Sequence, residues 1–144
     1  MFCLSKGLAA PVGSMLVASN KIITRARHIR KMLGGGMRQL GIIAAAGIIS
    51  LEKMVNRLAE DHIRARKLAD GLRKLAGLDV DEGSPFSNMV YLNLSDDVKL
   101  TSHQFCDKAR SMGLLLDAEN LRRFRLVTHY WIDDNAIENT ISAF

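Results

Sequence analysis

The residue of this sequence best placed for covalent chemistry is Lys6. It lies in Cys3-Leu4-Ser5-Lys6-Gly7-Leu8-Ala9-Ala10-Pro11-Val12-Gly13-Ser14, between the apolar runs Met1 to Leu4 and Met15 to Ala18. Glycines at 7 and 13 permit close backbone approach and unusual dihedrals. A lysine held among such small residues can lose solvation, lower its pKa and act as a nucleophile toward an aldehyde. Spacing alone favours a plainer alternative, a surface lysine in an ordinary turn.

Two further groups could handle anions. Gly34-Gly35-Gly36 ends one element and begins another, with Lys31 leading into it and Arg38 following. A glycine-rich turn that opens a helix presents free backbone N–H groups and partial positive charge. The spacing does not match a nucleotide-binding glycine loop, and many such turns are hinges. In the run Arg123 to His129, alternation puts Arg123, Arg125, Val127 and His129 on one face of a strand. A planar guanidinium there suits a carboxylate bound by two parallel hydrogen bonds, or pairs with a local Asp or Glu. Arg122 and Arg123 read as solvent residues.

The elements that must position these groups follow in order. Gly13 to Ser19 reads as a strand, and Asn20 caps a helix over Lys21 to Leu33 whose apolar positions are Ile22, Ile23, Ala26, Ile29 and Leu33. Lys21, Arg25, Arg27, His28, Arg30 and Lys31 fill its other side. From Met37 to Ser50 apolar and small residues surround a helix, as in one buried from every direction. From Leu51 the pattern becomes amphipathic, with His62 on the stripe, Glu60 and Arg64 four apart, and Gly77 as the stop. Beyond it come short strands at Leu78 to Val80 and Asn88 to Leu94. Thr101 with Gln104 forms a capping box for a helix to Met112, which Gly113 closes. Strands at Leu114 to Asp117 and Arg123 to His129 precede a last helix, begun by Asp133 or Asp134, with Ile137 and Ile141 facing inward. This β-α-β-β-α order predicts a small sheet covered by helices on one side.

The totals set bounds. A chain of 144 residues with 48% apolar and 24% charged residues is globular in composition. The longest apolar run, Leu40 to Leu51, is too short to cross a bilayer, and no secretory signal precedes it. Cys3 and Cys106 follow no metal spacing and read as reduced thiols of a cytoplasmic protein. The net charge of +5 fits nucleic acid or a site for phosphate and carboxylate. No aromatic residue interleaves the basic helix, which argues against a base-stacking surface.

Ser5 to Ser14, followed by Arg30-Lys31-Met32-Leu33-Gly34-Gly35-Gly36-Met37-Arg38-Gln39, resembles the cofactor-lysine segment of the low-specificity L-threonine aldolases. Arg57 to His62, Asn88-Met89-Val90 and Arg125 to His129 fall in the order of that family. Ala9 is a departure, standing where the family usually carries glycine. The resemblance implies an α/β chain of the pyridoxal-phosphate-dependent fold type I (aspartate-aminotransferase-like), and an incomplete one. Residues 1–50 would be the end of the large cofactor domain, 51–77 a connecting helix, and 78–144 a small α+β C-terminal domain.

The same resemblance implies pyridoxal 5'-phosphate as cofactor, Lys6 as the residue that carries it, and Lys31 and Arg38 at its phosphate. That phosphate lies near a subunit boundary in the family, so either cation could serve a neighbouring subunit. Arg125 would grip the α-carboxylate of an amino-acid substrate, and L-threonine or L-allo-threonine would be cleaved to glycine and acetaldehyde. His129 lies in the right segment for a base, but no pattern assigns it that role. A homo-dimer or homo-tetramer is implied, with no metal, nucleic acid or membrane partner. Family members carry about half of the cofactor pocket upstream of the lysine, so this polypeptide alone is expected to bind the cofactor poorly. Another lyase or an aminotransferase of the same fold is the alternative, and a basic nucleic-acid-binding module a more distant one.

Overall fold

The computed structural model describes residues 1–144 and divides them into two units, Met1–Leu58 and Ala59–Phe144. In the first, β1 (Phe2–Cys3) pairs antiparallel with β2 (Ser14–Met15), so that residues 4–13 form the loop of a short hairpin. The strand expected from Gly13 to Ser19 shrinks to two residues, because β1 offers only two for it to pair with. Helix α1 (Asn20–Met32) starts behind Ser19, whose backbone is extended but whose side chain makes no capping bond. None of its residues is buried.

The all-apolar helix α2 (Gly41–Ile49) begins four residues later than the hydrophobic run suggests. Arg38 and Gln39 instead form a bend and Leu40 a turn, with Gln39 at φ 49°. Ser50–Met54 continue it as a π-helical turn, and the Ser50 hydroxyl donates to the Ala46 carbonyl at 3.0 Å. The expected burial of this helix on all sides is not met. Ile42 is 88% exposed, and within α2 only Gly47 is buried.

The second unit closes its own core. Helix α3 (Leu58–Leu72) brings Ala65, Leu68, Ala69 and Leu72 onto a three-stranded antiparallel sheet of β3 (Leu78–Val80), β4 (Met89–Leu94) and β5 (Arg123–Val127), in the order β3-β4-β5. Alternation decides the faces, as expected: Val90, Leu92 and Leu94 point inward with Phe124 and Leu126, while Met89, Tyr91 and Asn93 point the other way. Helix α4 (Ser102–Ser111) has the expected capping box: Gln104 N–H donates to Thr101 Oγ1 at 3.3 Å, and Thr101 N–H to Gln104 Oε1 at 3.0 Å. Helix α5 (Asp134–Ala143) is capped by the Asp133 carboxylate, and its Ile137 is buried in the core.

Helices α3 and α5 touch closely at Gly71, where a Cβ would stand 2.4 Å from Ile141 Cδ1. Ion pairs from Arg64 to Asp134 (3.2 Å) and Lys67 to Glu138 (2.8 Å) join the same two helices, and Arg64 also reaches Glu60 at 3.3 Å. The strand expected at Leu114 to Asp117 is absent. Gly113 and Leu114 donate to the carbonyls of Arg110 and Ala109 to end α4, and only Ala118 bridges to Phe124.

Candidate functional site

The Lys6 loop is held from below. Leu4, Leu8 and Ala10 are buried against Met54 and Leu58, and two backbone bonds (Leu4 N–H to Gly13 O, 2.9 Å; Ala10 N–H to Leu4 O, 3.0 Å) tie its ends. Gly7 sits where a Cβ would meet Leu58 Cδ2 at 2.7 Å, so a larger residue there would push that side chain aside. A turn closed by Ala9 N–H on Lys6 O (2.9 Å) then leaves Ser5 and Lys6 exposed. The lysine is therefore displayed on an anchored loop rather than enclosed. Ala9 has φ 56°, the left-handed region in which glycine is at ease and a methyl group is strained.

The triple glycine ends α1, as expected, but two of its amides are not left free for an anion. Gly34, at φ 81°, donates to Lys31 O at 3.2 Å, and Gly35 N–H donates to Arg30 O at 2.8 Å. This paired arrangement terminates α1 and engages two of the three glycine amides. Gly36 lies under the Lys31 side chain: a Cβ there would be 2.6 Å from Lys31 Cδ and 3.2 Å from its Nζ. Arg38 is in the bend before α2, not in its first turn. Anion binding at this turn would rest on the side chains of Lys31 and Arg38, both exposed.

In the second unit Arg125 projects from the outer sheet face, opposite Tyr91, with its side chain 50% exposed. It belongs to a polar cluster. Asp81 accepts from Arg123 Nη2 at 2.5 Å and from Asn93 Nδ2 at 2.7 Å, and the Arg123 guanidinium lies 4.7 Å from the centre of the Tyr91 ring. Glu119 stands 3.7 Å from Arg123 Nε and 3.8 Å from Arg125 Nε. Arg123 is thus engaged, contrary to the reading of it as a solvent residue. Arg122 also departs from that reading, donating to the carbonyls of Leu94 (3.1 Å), Val98 (3.2 Å) and Ser95. Sequence alternation identifies the shared face of 91, 93, 123 and 125, but Glu119 and Asp81 come from turns whose course no periodicity reveals.

The two distant motifs at Asn88 and Arg125 to His129 meet in a backbone lock. Thr128 N–H donates to Asn88 O (2.9 Å), Asn88 Nδ2 donates to Thr128 O (2.7 Å), and the buried Thr128 hydroxyl donates to Asp61 O at 2.7 Å. These residues fix the end of β5 to the start of β4 and to α3. His129 Nδ1 accepts the Trp131 N–H at 3.3 Å. Elsewhere in this unit a cleft of about 270 Å³, lined by Phe105, Met112, Leu114 and Phe144 among others, contains none of the candidate residues.

The donor set suits an aldehyde-and-phosphate cofactor in part. An exposed amine on a fixed loop could reach a carbonyl, and the exposed side chains of Lys31 and Arg38 would be the cations available for a phosphate. The amides of Gly34 and Gly35 are already engaged, so they contribute nothing to holding it.

The chain is similar to known proteins along most of its length. Over 142 residues the chain is 39% identical to low-specificity L-threonine aldolase 1 of Arabidopsis thaliana, spanning 99% of this chain and 40% of that protein. It is 46% identical over 127 residues to the low-specificity L-threonine aldolase of Escherichia coli, spanning 88% of this chain and 36% of that one. The chain thus spans about 40% of the length of the curated relatives that it matches. Its fold is that of a solved structure provisionally described as an L-allo-threonine aldolase of Listeria monocytogenes, with a TM-score of 0.76 at 17% identity over 98% of this chain and 42% of that one. The profile of the beta-eliminating lyases matches residues 1–95, and the chain belongs to that family.

Proposed function

We propose that this chain carries the cofactor lysine and the carboxylate-binding arginine of a pyridoxal-phosphate-dependent aldehyde lyase. The reaction is retro-aldol cleavage of L-threonine or L-allo-threonine to glycine and acetaldehyde. The observation that carries the reading is the Lys6 loop: an exposed amine on an apolar anchor, inside both the family match and the stretch similar to the threonine aldolases.

Lys6 holds the cofactor through its amine, and Lys31 and Arg38 take its phosphate, in this subunit or in a neighbour. Bound pyridoxal phosphate supplies an electron sink for the pair left at Cα when the Cα–Cβ bond breaks. Arg125 accepts the substrate's carboxylate on its two-nitrogen edge, and so selects which bond at Cα is aligned for cleavage. Thr128 and Asn88 are positioning residues, since they fix the end of the strand that bears Arg125. The reading extends to a homo-dimer or homo-tetramer in a cytoplasmic setting, where Cys3 and Cys106 stay unpaired.

The test is acetaldehyde release from L-threonine by the protein produced from its own gene, with pyridoxal phosphate supplied. Lys6→Ala is expected to abolish it, and borohydride trapping followed by peptide mapping should place the pyridoxyl group on Lys6. Undiminished release from the Lys6→Ala protein would exclude the assignment. Serine, tryptophan and aspartate as parallel substrates separate an aldolase from another lyase or an aminotransferase.

A further inference from the structure

The outer face of the sheet holds two guanidinium groups, Arg123 and Arg125, and three carboxylates, Asp79, Asp81 and Glu119, so its anionic groups already outnumber its cations. Arg123 is engaged on several sides, by Asp81, by Glu119 and by the Tyr91 ring. Arg125 meets Glu119 only through Nε, at 3.8 Å, which leaves its two terminal nitrogens available. Glu119 itself is pinned, because its N–H donates to Arg123 O at 2.8 Å and the Asn120 side chain accepts from the N–H groups of Arg122 and Arg123.

We propose that Glu119 is a specificity-determining residue: it limits Arg125 to a ligand with one carboxylate, and so to zwitterionic amino acids with uncharged side chains. The inference rests on the reading of Arg125 as the carboxylate-binding residue. A first carboxylate satisfies the open edge of Arg125. A second finds no free cation on this face and approaches Glu119 and Asp81 at a range where like charges repel. Aspartate and other dicarboxylates are therefore poor ligands, while an ammonium group near Glu119 is tolerated.

The experiment is a titration of the 144-residue chain with acetate and with succinate at constant ionic strength, which holds screening fixed. The readout is the Arg125 Nε–Hε NMR signal, identified by its loss in Arg125→Lys. In the wild type, succinate should bind no more than about twofold tighter than acetate, the factor due to its second carboxylate. In Glu119→Gln the succinate-to-acetate ratio should rise about fivefold, and Glu119→Asp should keep the wild-type ratio. A ratio unchanged by Glu119→Gln, with acetate still moving the signal, overturns the role of Glu119 and leaves the reading of Arg125 standing. A wild-type ratio above about fivefold overturns it without any variant. If acetate leaves the Arg125 signal unmoved, the reading of Arg125 fails and the inference fails with it.

Discussion

The two units of this chain use similar apolar material to opposite ends. Ala59–Phe144 encloses eleven buried hydrophobic residues in one cluster, drawn from all three of its strands and from two of its helices. Met1–Leu58 encloses three, Leu4, Leu8 and Ala10, and leaves large apolar side chains exposed along β2, α1 and α2. Of the 25 large hydrophobic residues at the surface, 17 lie in the shorter first unit, so its stability cannot come mainly from its own burial. What it does organise is one loop. The comparison teaches that this chain builds its core in one unit, which carries Arg125 on its outer sheet face, and displays the candidate lysine in the other.

The contrast is broken most directly by separating the pieces. Residues 59–144 expressed alone should unfold cooperatively in urea, whereas residues 1–58 should show no cooperative transition. A sharp transition in the shorter piece would mean that its exposed surface is no liability. Next in size, Phe124→Ala should cost the transition of the second unit about 3–5 kcal/mol, the usual loss for a fully buried phenylalanine. Leu8→Ala should leave that same midpoint in place, and a shared shift would deny the units their independence.

A smaller effect sharpens the account of the loop. Glycine at position 9 relieves a left-handed alanine, a strain on the order of 1 kcal/mol. Ala9→Gly should therefore slow exchange of the Leu4 and Ala10 amides about fivefold, as hydrogen exchange would record; faster exchange would show that loop flexibility outweighs strain. The smallest effect concerns Lys67. Its hydrogen bond to Glu138 raises its pKa above the ordinary lysine value, partly offset by desolvation. The associated stability is fully present below the unfolded lysine pKa of about 10.4 and is lost as pH rises through the folded value. Wild type and Glu138→Gln should thus differ slightly in urea midpoint at pH 8 and converge as pH rises through the folded value of Lys67. A difference that persists there would remove the pair from the account.

Much of the second unit could be read from the residues in advance because its signals are local. The capping box at Thr101 and Gln104, the alternation from Met89 to Leu94 and the stop at Gly113 each act within a few residues, whereas α3 ends at Leu72, five residues before the expected stop at Gly77. The first unit was less legible. Its hydrophobic run implied a buried helix, and periodicity reports what a face prefers, not whether anything covers it. The triple glycine looked like an anion cradle, yet Gly34 and Gly35 spend their amides on the carbonyls of α1, a choice that depends on the backbone angles at the end of that helix.

The order of residues by itself determined the candidate lysine, the small residues that bring its loop close to Leu58, and the inward and outward faces of the sheet. These follow from side-chain size, backbone freedom and a period of two. Only the tertiary structure decided that Lys6 is displayed, that Arg122 and Arg123 are engaged, and that Glu119 stands beside Arg125. Those outcomes require segments distant in sequence to meet, and the charge and hydrogen-bond geometry where they meet is set by the packed chain as a whole.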